Sequence, residues 1–256
     1  MTFIGMFSAA VIACSSPTEP TNGVTPEFIV ATGMNVMALG NTTRFAVTAY
    51  TRSTNPNALI FAGEVADISA SASWSSDNPA VAAVSQRNIV GRSAGVANVS
   101  ATYMGREYAV PVYVVAPNGS AQQFAGTWSG VTNFFCSDLI GNTRTCSDFS
   151  GPHTFTTNVS MSLTNVGGVL QGSIDIGGGS LSHVIGAVVG GVNDRGELVI
   201  GGTPSLSEEG YSEQLRDWRF TFSGTQLAGS GTTEAAFVNI YGPVLHRRTY
   251  IAITLR

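Results

Sequence analysis

The histidines are the side chains of this sequence best suited to acid–base chemistry near neutral pH, and there are three of them: His153, His183 and His246. A hydrolytic triad also needs a nucleophile and an orienting acid, and no Gly-x-Ser-x-Gly elbow accompanies these histidines. All 12 basic residues are Arg, so no Schiff-base or phosphate-loop lysine is available. His183 shares strand parity with Leu181 and Ile185, which favours a satisfied interior histidine over a base or a ligand. We therefore predict that the protein is not an enzyme.

Carboxylates concentrate in the segment 204–217. The residues of interest there are Glu208, Glu209, Tyr211, Glu213 and Asp217. Such a cluster can bind Ca²⁺ or form a glycosidase-like acid pair, but the Asp-x-Asp-x-Asp spacing of a calcium loop is missing. Loop carboxylates are most often solvated charge, so we predict no metal and no cofactor. Because long loops on a rigid scaffold usually carry recognition, we assign this segment and residues 137–151 to binding loops.

Residues 1–13 are apolar and uncharged, and they are too few to cross a bilayer as a permanent helix. Val11, Ile12 and Ala13 precede Cys14, an arrangement that resembles the bacterial lipoprotein signal. The Lys or Arg that usually precedes the apolar run is missing. The resemblance implies cleavage before Cys14 and lipidation of its thiol, and Ser15 in place of Asp implies sorting to an outer membrane. The alternative is an ordinary secretory signal. Residues 14–27 would then form a lipidated, Pro-rich tether.

The two other cysteines, Cys136 and Cys146, flank a polar segment with a turn signal at its centre. If Cys14 is lipidated, the number of remaining thiols is even, as expected for an exported protein. We predict that these two form a disulfide in an oxidising envelope. The alternatives are two free thiols or a metal pair with His153, which would be one ligand short of a zinc site.

Residues 28–116 alternate between apolar and polar side chains, as half-buried strands do. The motif around Trp74 is Trp-x-Ser-x-Asn-Pro, followed by Val-Ala-x-Val and then by Gly91-x-x-x-Gly95-x-Ala. These motifs resemble the bacterial immunoglobulin-like domain of group 2. The resemblance implies a seven-stranded sandwich that serves surface proteins as a spacer or adhesive module, with no catalytic residues.

Residues 117–123 carry a linker signal, and residues 124–256 read as a series of strands and turns. The predicted strands are 127–135, 154–163, 169–176, 181–189, 197–200, 218–222, 226–234 and 249–256. About eight antiparallel strands in hairpin order indicate an up-and-down β-barrel, so the fold class is all-β: a sandwich followed by a barrel.

The opening of the second domain, Gly126-Thr127-Trp128, resembles the first strand of lipocalin-like barrels. The resemblance implies that Trp128 closes one barrel end and that Arg247, Arg248 or Arg256 packs on it. We expect Trp74 and Trp128 to anchor the cores of their domains. The many aromatic residues of this domain either line an apolar ligand cavity or fill the interior, and an eight-stranded barrel favours the filled interior.

The sequence thus predicts a membrane-anchored envelope lipoprotein that acts as a non-catalytic binding, adhesion or scaffolding protein. Its partners would be the membrane, through the lipid, and another envelope protein. A net charge of −4 leaves no basic patch for phosphates, which excludes nucleic acid. The alternative function is a lipocalin-like carrier of a small apolar ligand. An envelope hydrolase would need a set of catalytic residues that this sequence does not show.

Overall fold

The computed structural model describes residues 25–53, 63–140, 154–178, 181–203, 212–239 and 242–256. Short strands separated by turns follow from a sequence with 30 glycines and alternating apolar residues. The described residues are mostly strand, so the chain is all-β as predicted. None of them belongs to a helix that is long and apolar enough to span a membrane.

The N-terminal part of the described chain contains ten strands in three small sheets. The strands are β1 (Phe28–Thr32), β2 (Val36–Ala38), β3 (Thr42–Arg44), β4 (Ala46–Arg52), β5 (Gly63–Asp67), β6 (Ser73–Ser76), β7 (Ala82–Ser85), β8 (Asn88–Gly91), β9 (Gly95–Tyr103) and β10 (Arg106–Val115). The sheet orders are β1-β4-β5, β2-β10-β9-β6 and β3-β8-β7. The β2–β10 pair is parallel, and the others are antiparallel.

These three sheets share one apolar core. Val47 and Ala49 on β4 and Val110 and Val112 on β10 are buried in that core, as their spacing predicts, but Tyr50 and Tyr113 on the opposite faces are buried as well. Phe45 makes an edge contact with Trp74, with ring centroids 6.3 Å apart. The assignment of this unit to the immunoglobulin-like family stays a prediction.

The C-terminal part contains nine described strands. They are β11 (Gly126–Ile140), β12 (Thr154–Val166), β13 (Val169–Gly178), β14 (Leu181–Val192), β15 (Leu198–Gly202), β16 (Ser212–Leu215), β17 (Trp218–Ser223), β18 (Gln226–Asn239) and β19 (Gly242–Leu255). From β11 to β15 each strand pairs with the next in the chain, β15 pairs with β17, and β19 pairs with both β18 and β11. β16 and β17 pair with different parts of β18, so together they fill a single strand position of the barrel. The result is a closed antiparallel barrel of eight strands, as predicted.

The barrel interior at the described residues is filled by side chains. Met161, Ile174, Trp218, Phe220 and Tyr250 all point inward and are at most 1% exposed. Trp218 contacts Tyr250 with a centroid distance of 5.0 Å. An eight-stranded barrel is only wide enough for its own side chains, and this interior agrees with that expectation.

One barrel end, here called the cap end, is closed by a short 3-10 helix, Gly119–Phe124. Phe124 stacks on Phe222 at 4.8 Å and accepts a hydrogen bond at its carbonyl from Trp128 Nε1 at 3.0 Å. Ala121, within the segment predicted as a linker, is fully buried in the barrel core, so that segment carries part of the core. Of the three arginines expected near Trp128, Arg256 pairs through its backbone with the neighbouring Ser129, and the packing of its side chain on Trp128 stays a prediction.

The two tryptophans predicted as core anchors are only partly buried, and the fully buried tryptophan is Trp218. Trp74 and Trp128 lie at the margins of their cores. Trp218 Nε1 donates to the Thr232 carbonyl at 3.0 Å, whereas the buried Trp74 Nε1 has no hydrogen-bond partner in the described part of the chain. The sequence shows that a tryptophan side chain is large, but it does not show how deeply the strand that carries it is buried.

We expect Trp218→Phe to lower the free energy of unfolding by about 2–4 kcal/mol, because it leaves a cavity and removes the buried hydrogen bond that Nε1 donates. Trp74→Phe should change it by less than about 1 kcal/mol, because it removes a buried N–H that has no acceptor. Urea denaturation followed by circular dichroism measures both. Equal losses in the two variants would contradict these assignments.

Candidate functional site

Several residues singled out in the sequence lie outside the described residues. They are Cys14, Cys146, His153, Glu208, Glu209 and Tyr211. Cys136 lies on β11 opposite Arg248 of β19. Its disulfide with Cys146 stays a prediction. His183 lies on β14, and its side chain is outside the described part.

The remaining two residues of the predicted binding loop, Glu213 and Asp217, are not part of one exposed loop. Glu213 lies on β16, points into the barrel and is 2% exposed. Asp217 lies between β16 and β17 on the outer surface, where it accepts hydrogen bonds from the Tyr113 hydroxyl and, at 3.3 Å, from Arg219 Nη2. The expectation of solvated charge is therefore wrong for Glu213, because pairing of β16 with β18 turns it inward, whereas the side chain of Asp217 is 54% exposed, as expected of a loop carboxylate.

Glu213 belongs to a group of polar side chains inside the barrel, here called the interior cluster. Its members are Glu213, Thr233, His246, Arg248 and Tyr250. The strand register brings them together, because Glu213 pairs with Ala235, which pairs in turn with His246. Arg248 Nη1 lies 3.9 Å from Glu213 Oε1, an ion pair within the barrel wall. Burial raises the pKa of Tyr250, so its hydroxyl stays neutral.

His246 is 3% exposed, and neither ring nitrogen has a hydrogen-bond partner among the described residues. Burial, together with the charge of Arg248, lowers the pKa of His246 to about 3. An efficient general base has a pKa near the working pH. The imidazole is thus a neutral and weak base here, and its ring contacts Phe237 edge-on at 5.3 Å.

A second polar group, here called the interface cluster, lies where the N-terminal sheets pack on the outer face of the barrel. It consists of Tyr108 on β10, Arg216, Glu234 on β18 and Arg247 on β19. Glu234 is 1% exposed and accepts from Arg216 Nη1 at 2.5 Å, from Arg247 Nε at 2.9 Å and from the Tyr108 hydroxyl. Arg216 Nη2 also donates to the Ala109 carbonyl at 2.8 Å.

The charges of the interface cluster compensate one another. Burial alone would raise the pKa of Glu234, but Arg216, the Tyr108 hydroxyl and Arg247 together hold that pKa below its ordinary value. Burial, with Glu234 close by, raises the pKa of Tyr108. The cluster is therefore a carboxylate held ionised between two guanidinium groups and a neutral phenol.

Close to the interface cluster, hydrogen bonds between neutral polar groups also connect the two units. Asn35 and Gln214 are both fully buried, and Gln214 Nε2 donates to Asn35 Oδ1 at 3.0 Å. The same Asn35 oxygen accepts from Gly202 N at 3.1 Å, and Gly33 N donates to Gln214 Oε1 at 2.9 Å. A Cβ atom at Gly201 would stand 2.2 Å from Asn35 Oδ1, so glycine is required there. These contacts fix the N-terminal unit on the barrel.

A cleft of about 550 Å³ separates the two units at the cap end. It is bounded by Val96 and Tyr113 on one side and by Asp194, Arg195 and Arg219 on the other. Arg219 Nη2 donates to the Tyr113 hydroxyl at 3.0 Å. Burial, with a hydrogen bond to Asp217, raises the pKa of Tyr113 to about 12.

No protein-family model matches this chain, and neither does any curated protein. Within the described ranges, no group of three or more His, Cys, Asp and Glu side chains could hold a metal ion. Sequence reasoning missed both polar clusters. The one indication in the sequence was Glu234, which is the single charged residue in the strand segment Thr-Thr-Glu-Ala-Ala-Phe-Val.

Proposed function

We propose that this chain is a bacterial envelope lipoprotein that is anchored through Cys14 to an outer membrane. Its immunoglobulin-like N-terminal unit and its barrel would together act as a non-catalytic binding or scaffolding protein for another envelope protein. The observation that carries this proposal is the filled interior of the barrel. A carrier and a scaffold differ in that respect, because a carrier needs room for its ligand.

The filled interior argues against the alternative, a carrier of a small apolar molecule. The aromatic side chains that could have lined an apolar cavity pack on one another: Phe134 lies 5.4 Å from Tyr250, and Tyr250 lies 5.0 Å from Trp218. Where the interior becomes polar, Glu213 and Arg248 occupy it as a pair, and burying an apolar ligand against charged groups is unfavourable. Recognition by an outer surface is therefore better supported.

The joint between the two units supports a scaffolding role. Glu234 and Gln214 on the outer face of the barrel are both buried by the N-terminal sheets. Ala236 and Leu245 of the barrel belong to the apolar core of those sheets. Units that share a core and buried hydrogen bonds move as one body, which suits a protein that holds a surface in a fixed place.

The lipid anchor is tested by metabolic labelling with an alkyne fatty acid in a bacterium that exports the protein. We expect the label on the wild-type protein, and we expect Cys14→Ser to abolish the label and release the protein into the soluble fraction. The matched control is Cys136→Ser, which should keep the label. Label that persists in Cys14→Ser, or no label on the wild type, would refute the anchor.

The binding loops need a narrower test than a deletion of residues 204–217. That deletion would remove β16 with the fully buried Gln214 and Leu215, so it would damage the barrel and the joint together. Replacing only residues 204–211 by a Gly-Ser segment of equal length keeps β16. A partner identified by cross-linking to the wild-type protein should be lost from this variant if these residues bind it.

A further inference from the structure

We propose that the barrel end opposite the cap faces the lipid surface to which Cys14 is attached. This end, here called the loop end, is where β11, β13, β15 and β18 finish. The proposal rests on the lipid anchor proposed above and adds to it the orientation of the protein on its membrane. The cap end and its cleft would then point away from the lipid.

The position of the first described residues carries the argument. Glu27 Oε1 lies 2.6 Å from Arg52 Nε, which ties the start of the chain to the end of β4. A Cβ atom at Gly242, in the turn between β18 and β19, would stand 3.2 Å from the guanidinium carbon of Arg52. Glu27 is therefore joined by one salt bridge to Arg52, whose guanidinium lies beside the loop end of the barrel.

The direction of β1 agrees with this position. Phe28 pairs with Tyr50 near the end of β4, and Thr32 pairs with Ala46 at its beginning. Gly33, just after β1, contacts Gln214 in the barrel wall. β1 thus runs from the loop end towards the middle of the barrel, so the first described residues lie at the loop end.

The length of chain between Cys14 and Thr25 limits the possible orientations. It spans at most about 37 Å when fully extended, and a random coil of that length averages about 18 Å. β18 has 14 residues, so with the usual rise and tilt the barrel is about 35 Å tall. Placing the cap end on the membrane would require an almost fully stretched tether, whereas placing the loop end there requires no stretching.

Exposed apolar side chains do not distinguish the two ends. Leu139, at the end of β11, is 42% exposed, and Val166, at the end of β12 on the cap side, is 53% exposed. The orientation therefore rests on the position of Glu27 and on the length of the tether.

Energy transfer to the membrane tests the orientation. A fluorescent amino acid replaces Leu139 at the loop end or Thr225, which is exposed at the cap end. The protein is anchored on phosphatidylcholine vesicles that contain a headgroup-labelled acceptor lipid. We expect transfer to be several-fold more efficient from position 139 than from position 225. Equal or reversed efficiencies would overturn the proposed orientation.

Two controls separate this proposal from the lipid anchor itself. In one preparation, residue 14 is an azide-bearing amino acid coupled chemically to a lipid, so the geometry is tested even if cells do not lipidate Cys14. In the other, about 40 Gly-Ser residues inserted after Ser16 lengthen the tether to a coil of about 40 Å, which no longer orients the barrel. The difference between the two positions should then disappear, and its persistence would mean that something other than the tether sets the orientation, which overturns the proposal.

Discussion

Glu234→Ala should lower the free energy of unfolding by about 3–5 kcal/mol. The substitution removes a carboxylate that is 1% exposed and leaves the Arg216 guanidinium, which is 18% exposed, without its counter-charge. Breaking a buried ion pair by deleting one partner costs this much because the other charge stays buried. The Tyr108 hydroxyl also loses its acceptor. Since the cluster joins the two units, both should lose stability together.

Urea denaturation of the full chain, followed by circular dichroism and by tryptophan fluorescence, measures this effect. The control is Glu107→Ala, an exposed carboxylate on β10 next to Tyr108, which should change the free energy of unfolding by less than about 0.5 kcal/mol. Glu234→Gln keeps the shape of the side chain, so its effect on the free energy of unfolding isolates the contribution of the negative charge. A loss below about 1 kcal/mol for Glu234→Ala would show that the interface cluster does not hold the units together.

The buried His246 should make the protein unstable in mild acid. Its pKa is about 3 in the folded protein and near 6.5 when unfolded, so the unfolded chain binds the proton first as the pH falls. The contribution of neutral His246 to the free energy of unfolding is complete above pH 6.5. It is lost progressively as the pH falls towards 3, by about 3–5 kcal/mol in total. Charged groups around the ring are Arg248 on β19 and Glu213 on β16.

His246→Phe isolates this contribution, because it keeps a ring next to Phe237 and removes the titration. The free energy of unfolding of wild type and variant should be compared between pH 7.5 and 4.5. The difference between them should grow by roughly 1.4 kcal/mol for each pH unit below 6.5. Because the folded protein holds the pKa of Glu234 below its ordinary value, the unfolded chain takes up a proton at Glu234 first in more acidic solution, which destabilises both proteins. Parallel pH profiles for the two proteins would contradict a neutral, buried His246.

Alternation of apolar and polar residues was enough to predict the barrel strands other than β16. In β12, Val159, Met161 and Leu163 are buried, as their spacing indicates. β16 was missed because Ser-Glu-Gln-Leu is short, polar and without alternation. It is a strand only because β18 extends to Asn239 and offers it hydrogen bonds. A four-residue strand is thus specified by its partner and not by its own sequence.

The polar clusters could not be predicted for a related reason. Glu234 and Gln214 occupy positions on the outer face of the barrel, which the period of a strand assigns to solvent. Only the packing of a second unit buries them, and Asn35, which lies between β1 and β2, gives no sign in the sequence of that contact. The sequence indicated two units joined at residues 117–123, but the chemistry of their joint depends on residues far apart in the chain.

The central claim, a lipid-anchored envelope protein, is tested most directly by mass spectrometry of the N-terminal peptide of protein extracted from envelopes. The account predicts that this peptide begins at Cys14 and carries a diacylglyceryl group on its sulfur. A peptide that runs uncleaved through Ala13 and Cys14, or one that begins at an unmodified residue after Cys14, would contradict it.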